Sequence, residues 1–231
     1  MPKPNSKPVV RSFGRVITAI ALVALAAGCA GVQQRDYSKF EAAHPGSILI
    51  VPVVNKSLDV TAPEYFLSSV TIPLAEHGYY VFPVNLVKRM LEDDGLSDAD
   101  LVHGAPTERL CSLFGADSVL YIVIENWEAK YLVLTTQVKV ALTYTLKDGK
   151  TGDTLWEDKE TMVYVPQNNQ SGGSPLASLI VMAVQAAVTK AAPNYMPLAQ
   201  QANATAFAYP GKGFPPGPYA VESVSTAPTQ K

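Results

Sequence analysis

Cysteine, histidine and long apolar runs are all scarce in this chain. Two cysteines in 231 residues leave no basis for the disulfide framework that staples small secreted domains. The three histidines, His44, His77 and His103, stand far apart. Neither a His-x-x-x-His nor a Cys-x-x-Cys pair occurs, so the usual zinc-ligand spacings are missing. No Gly-x-Ser-x-Gly elbow, P-loop or Gly-x-Gly-x-x-Gly turn is present, which removes the customary signatures of serine acyl transfer, nucleotide hydrolysis and dinucleotide binding. No stripe of Lys and Arg appears, which speaks against nucleic acid as a partner. An acidic run (Glu92, Asp93, Asp94, Asp98, Asp100) lacks the ligand alternation of a calcium loop and reads as a solvated helix end and turn. These absences predict no metal, no cofactor and no enzymatic activity.

What the chain does have begins at its start. Residues 16–28 form an uncharged stretch of 13 residues, too short to cross a bilayer core that needs about 20. Lys3, Lys7, Arg11 and Arg15 precede it, and no acidic residue comes before Cys29. A basic leader, a short apolar core and small residues at the end describe a cleaved export signal. Ala26-Ala27-Gly28-Cys29 resembles the bacterial lipobox, with Ala26 where leucine is commonest. Cleavage would fall between Gly28 and Cys29, and Cys29 would become the lipid-bearing N-terminus. The plainer alternative is a secretory signal followed by a chance thiol. Two or more acyl chains give stable anchoring where one gives only marginal binding. Ala30, not Asp, follows the cysteine, and by resemblance to the usual sorting pattern this implies the outer membrane, with the protein facing the periplasm. Removing residues 1–28 leaves 14 basic against 20 acidic residues, a formal charge of −6.

The remaining chain divides into a tether (29–45), one α/β domain (46–192) and a weakly ordered, proline-rich tail (193–231), whose first part, NYMPLAQQANATAFAYP, is a candidate helix and whose end, from Pro210, is expected to be disordered. Residues 47–55, SILIVPVVN, suit a strand buried on both faces. Pro63 can open a helix, which Pro73 should break near Thr71, with Gly78 as the stop. Residues 79–83 read as a short strand. Asn85 is a candidate N-cap for a helix whose inward residues would be Leu86, Val87, Met90 and Leu91. A further helix is expected over 106–114, closed by Gly115. The period then changes. Val138, Val140, Leu142, Tyr144 and Leu146 alternate with Gln137, Lys139, Ala141, Thr143 and Thr145, as in an antiparallel strand with one wet face. KDGKTGD (147–153) supplies a hairpin turn. Residues 176–192 carry polar groups only at Ser178, Gln185 and Thr189 before Lys190 and read as an apolar helix packed on the sheet, on a membrane or in an interface. The resulting fold class is α/β: a mixed sheet layered with helices, then an antiparallel meander and a C-terminal apolar helix. Cys111, in RLCSLFG, reads as a small buried hydrophobe; a nucleophilic pair with a histidine is the sharper alternative. Tyr65, Tyr79, Tyr80, Trp127 and Trp156 are assigned to the core.

Three stretches, IPLAEHGYYVFPVNLV, LFGADSVLYIVIENW and LKDGKTGDTLWEDKE, together with the lipobox, resemble a family of bacterial outer-membrane lipoproteins of unknown function, typically encoded beside a curli-secretion-channel-like lipoprotein. The resemblance covers about residues 35–192. Gly115-Ala116-Asp117 leading into a strand, and Thr151-Gly152 before Leu155-Trp156, are also similar to the group containing the curli channel's periplasmic domain and the TolB N-terminal domain. The resemblance implies an α/β fold with a mixed sheet and transfers no catalytic residue. It implies an accessory or assembly role in an envelope complex with a curli-channel-like lipoprotein, and leaves open self-association. The alternative it implies is an activator of a peptidoglycan synthase; an envelope hydrolase using Cys111 ranks below both. The contact surfaces expected are the solvated face of the meander and the 176–192 helix.

Overall fold

The computed structural model describes residues 35–131, 136–164, 195–209 and 211–220. Its strands are β1 (Ser47–Ile50), β2 (Val54–Asn55), β3 (Tyr80–Val81), β4 (Ser118–Tyr131), β5 (Thr136–Asp148) and β6 (Thr154–Tyr164). They form one mixed sheet in the order β3-β1-β4-β5-β6, with β2 pairing β4 beyond the end of β1. β1 runs parallel to β3 and β4, and β2 runs parallel to β4; β4, β5 and β6 are antiparallel. The apolar run 47–55 is two strands, not the single one expected. Pro52 has no N–H to give the ladder, so pairing lapses there and resumes at Val54. The meander follows its alternation: Val138, Val140, Leu142, Tyr144 and Leu146 are all buried, and their odd-numbered neighbours are half-buried. Gly149 in the β5–β6 turn has no substitute, because a Cβ there would lie 2.5 Å from the Cys111 sulfur.

Six helices are described: α1 (Ser38–Ala43), α2 (Ala62–Glu76), α3 (Val84–Asp93), α4 (Ala99–Gly104), α5 (Thr107–Phe114) and α6 (Met196–Ala208). α1, α2 and α6 cover one face of the sheet, where Phe66, Val70, Leu74, Ala202 and Phe207 pack on Ile48, Ile122, Leu142 and Tyr144. α3, α4 and α5 cover the other face, where Val87, Leu91, Val102, Leu110 and Cys111 meet Leu49, Val51, Val119 and Tyr121. Helices thus flank the parallel half on both sides, as a two-faced apolar strand requires. Beneath β5 and β6 no helix among the described residues covers the second face.

Several local expectations change. α2 runs unbroken through Pro73. The proline sits near the end of the helix, where its missing N–H costs one bond, and fully buried Val70 and Leu74 hold the turn by packing. Asn85 lies inside α3, not at its cap; the N-cap is Pro83, whose carbonyl accepts from Leu86 N and Val87 N at 3.0 and 3.1 Å. Of the four inward residues expected on α3, Val87 and Leu91 are buried and Leu86 and Met90 are exposed. Tyr65 and Tyr80, assigned to the core, are also exposed. The acidic turn contains a helix of its own, α4, which Asp98 caps by accepting from Asp100 N and Leu101 N.

The largest correction concerns the segment after residue 192, expected to be weakly ordered apart from a candidate helix. α6 is a core helix whose Ala199, Ala202 and Ala206 are fully buried, small enough to bring it close to α2. Asn203 is buried between Tyr144, whose hydroxyl donates to it at 2.7 Å, and Ser69, whose Oγ accepts from it at 3.0 Å. Residues 211–220 then return across the domain. Phe214 packs against Trp156 with ring centroids 4.3 Å apart and stacks on Phe207 at 5.3 Å. The prolines read as a mark of disorder fix φ instead and lower the entropy cost of this strap. The expected helix at 176–192 lies outside the described residues.

Candidate functional site

Cys29, expected to carry lipid, and Gly28, expected to precede the cleavage point, both lie outside the described residues. Cys111 is buried on α5. Burial, then Asp117, Asp148 and Glu108, push its thiol up to about 11. A catalytic thiol needs the reverse setting, electropositive and accessible. The histidines are dispersed. His44 caps α1 with φ 45°. His77 Nε2–H donates to the Phe214 carbonyl at 2.9 Å. His103 Nε2–H donates to the Pro52 carbonyl at 3.0 Å and stands edge-on to Tyr121; burial holds its pKa below the usual value. Among the described residues no group of three or more His, Cys, Asp or Glu is placed to hold a metal ion.

The Gly115-Ala116-Asp117 motif is a splice between strands. Gly115 closes α5 with φ 70°. Asp117 Oδ2 accepts from Gly46 N at 3.1 Å, Ser47 N at 2.9 Å and Ser47 Oγ at 2.8 Å, and Asp117 N donates to Ser47 Oγ at 2.9 Å. One carboxylate thereby fixes the start of β1 beside the start of β4.

A charged cluster that sequence reading missed joins the two ends of the domain. Arg35 Nη2 meets Asp158 Oδ1 at 3.0 Å, and Arg35 Nη1 donates to the Lys212 carbonyl at 2.8 Å. The Arg35 guanidinium lies 5.4 Å from the centre of the Trp156 ring, within cation–π range. Trp156 Nε1 donates to the same Lys212 carbonyl at 3.1 Å, and the Tyr37 hydroxyl donates to the Gly213 carbonyl at 2.6 Å. Lys212 Nζ pairs with Glu160 and lies 3.3 Å from Asp158 Oδ2. Both carboxylates are buried, while Arg35 and Lys212 keep about a third of their surface in solvent. Burial raises the Glu160 carboxyl, and Lys212 offsets this only in part. Burial works to lower the Lys212 ammonium, but Glu160 and Asp158 outweigh it and raise it. Trp156, Asp158 and Glu160 share the inward parity of β6, and their partners lie more than 50 residues away. The cluster clamps Arg35 and Tyr37, which fall in the segment expected to be a tether (29–45), onto the edge strand and the C-terminal strap, and α1 follows them with Phe40 buried.

Charge is uneven along the chain. Residues 56–128 carry 12 acidic and 4 basic side chains, whereas 136–164 carry 5 and 4. Nine of the 12 exposed large hydrophobic residues among those described fall between Leu58 and Leu113.

A family model described as "Putative lipoprotein GNA1162-like" matches residues 35–218. A protein of Neisseria meningitidis serogroup B (strain ATCC BAA-335 / MC58), "Putative lipoprotein NMB1124/NMB1162", is 36% identical over 137 residues, which are 59% of this chain and 64% of that relative. The chain therefore spans a little less than two thirds of that relative's length. The crystal structure of lipoprotein GNA1162 from Neisseria meningitidis superposes with a TM-score of 0.53 at 33% identity, over 64% of this chain and 100% of that one. A PelC dodecamer from Paraburkholderia phytofirmans gives a TM-score of 0.37 at 16% identity, over 52% of this chain and 74% of that chain. The LpoB C-terminal domain from Salmonella enterica gives 0.37 at 22%, over 55% of this chain and 91% of that chain. These last two are too distant for any property of either protein to transfer.

Proposed function

We propose, since the chain belongs to the GNA1162-like lipoprotein family, that it is a non-enzymatic outer-membrane lipoprotein serving as an accessory or assembly component of an envelope complex. Cys29 carries the lipid, the folded domain faces the periplasm, and the partner is a curli-channel-like lipoprotein. The observation that carries this reading is the extent of the family match: it begins at residue 35, the first described one, and ends at 218, two residues short of the last described one. The buried, proton-holding Cys111 and the histidines tied to backbone carbonyls support a binding role over a hydrolytic one. Cys29→Ser should leave an unprocessed precursor that no longer fractionates with the outer membrane; a mature-sized protein still found there defeats the anchor assignment. Mild crosslinking and detergent solubilisation of the lipid-bearing protein should recover the lipoprotein partner, and recovery of none overturns the assembly role.

A further inference from the structure

The C-terminal strap is held as a ligand is held, by groups that reach its main chain from outside. Its carbonyls at Lys212, Gly213, Phe214 and Pro215 accept in turn from Arg35 and Trp156, from the Tyr37 hydroxyl, from His77 and from the Tyr79 hydroxyl. Positions 215, 216 and 218 are prolines and offer no N–H. The N–H groups of Phe214, Gly217 and Tyr219 donate to the carbonyls of Phe207, His77 and Gly78 at 3.0, 2.9 and 3.0 Å. Two glycines are required, because a Cβ at Gly213 would lie 2.1 Å from the Phe207 carbonyl oxygen and one at Gly217 would lie 2.2 Å from that of Gly78. Phe214 fills the slot between Phe40, Tyr79, Trp156 and Phe207. The groove therefore reads one pattern, Lys-Gly-Phe-Pro-Pro-Gly, and every copy of the chain carries it.

The strap is joined to the domain by a short hinge. α6 ends at Ala208, and the first carbonyl held in the groove is that of Lys212. Between them the chain reverses: the Tyr209 carbonyl accepts from Lys212 N at 3.1 Å and from Gly213 N at 2.9 Å, and Gly211 takes φ 77°. A short hinge that must reverse the chain invites exchange of the segment beyond it, because the opened hinge extends without reversal. We propose that the groove is an exchange site whose occupant is the strap of a second copy. The swapped strap regains each contact it leaves, including Lys212 on buried Asp158 and Glu160, so hinge strain and local concentration set the balance. The inference draws on the anchored reading above, which confines copies to one surface, and adds to it a self-association site.

The test uses cysteines at positions 46 and 218, since a Cβ at Gly46 lies 3.5 Å from Pro218 Cγ, an ordinary contact distance. Two differently tagged full-length proteins are made in the same cells, one carrying Gly46→Cys and the other Pro218→Cys. Mild oxidation should join the two tags in one disulfide-linked product. Pairing Pro218→Cys with Val163→Cys, exposed at the far end of β6, should join them severalfold less. Three residues inserted after Gly211 relieve the hinge and should lower the joined product severalfold. Gly46→Cys with Pro218→Cys in one chain closes whether or not the strap is exchanged, and so checks the geometry. Closure of that double variant with no product joining the tags refutes exchange, and so does equal joining through position 163. If the double variant stays open, the strap does not lie beside Gly46 and the proposal falls. The products are scored on whole-cell protein, and the Cys29→Ser fractionation decides the anchor separately, so a failed anchor and a failed exchange give different results.

Discussion

The parallel half of the sheet and its meander half are closed in different ways. β1, β3 and the first part of β4 are covered on one face by α3, α4 and α5, which lie between β3 and β4 in the chain. The meander is covered by α6 and Phe214 from the far end of the chain, with Arg35 and Tyr37 from the near end clamped beside them. Local cover follows from the crossovers that parallel strands require. Distant cover needs specific anchors, and here these are aromatic stacking on Trp156, the Asn203 bridge and the buried ion cluster. The meander half should therefore be the half that depends on the ends of the chain.

Removing residues 195–231 tests that dependence most severely. It strips buried Leu198, Phe207 and Phe214 from the sheet, each worth about 1.5–3 kcal/mol of burial, and leaves the Tyr144 hydroxyl without Asn203. The sum is comparable to the whole stability of a small domain, about 5–15 kcal/mol. The truncated protein should lose its cooperative thermal transition in circular dichroism. A sharp transition close to that of the parent would mean the meander stands without its distant cover.

Asp158→Asn reaches the clamp alone. It leaves Arg35 and Lys212 without their shared carboxylate. Breaking a fully buried pair costs about 3–5 kcal/mol; with both cations a third exposed, about 2 kcal/mol is expected in urea unfolding. Glu160→Gln should cost less, because burial already works against the charged form of Glu160. Equal losses would show that the two carboxylates are interchangeable and that Arg35 adds nothing.

Acid should separate the halves. His103, in the parallel half, has its pKa held below 6.5 by burial. The folded state favours the neutral ring, so its contribution is complete above pH 6.5 and is lost as pH falls through the folded value. Glu160, in the meander half, has its pKa raised. Its contribution runs the other way, complete below pH 4.5 and lost as pH rises. Between pH 7 and 5.5, amide protection, taken relative to the intrinsic exchange rate at each pH, should fall around α4 and β2 and hold steady along β6. His103→Gln should flatten the response around α4. A uniform loss of protection in both halves would remove the contrast.

How much was legible divides along the same line. Periodicity placed Val138 to Leu146 correctly, Gly115 marked the end of α5, and the glycine-rich 147–153 turn joined β5 to β6, because each signal lies within a few residues of what it determines. The clamp escaped because Arg35, Asp158 and Lys212 meet only in the folded chain. The strap escaped because proline enrichment has two physical meanings: it marks chains that cannot collapse, and it stiffens segments that aromatic anchors hold down.

The smallest effect probes where periodicity itself misled. Leu86, Val87, Met90 and Leu91 have the spacing of one helical face, yet α3 is tangent to the sheet along a narrower line than four apolar residues suggest. Val87 is 1% exposed and Leu86 63%. Val87→Ala should cost about 2 kcal/mol, in the range of a buried truncation that leaves part of a cavity. Leu86→Gln should stay within about 0.5 kcal/mol, as surface changes usually do. Paired urea titrations decide between the face as written in the sequence and the face as packed. Comparable losses from the two substitutions would mean that Leu86 is buried in the working protein, and a partner covering the outer side of α3 would then have to supply the burial.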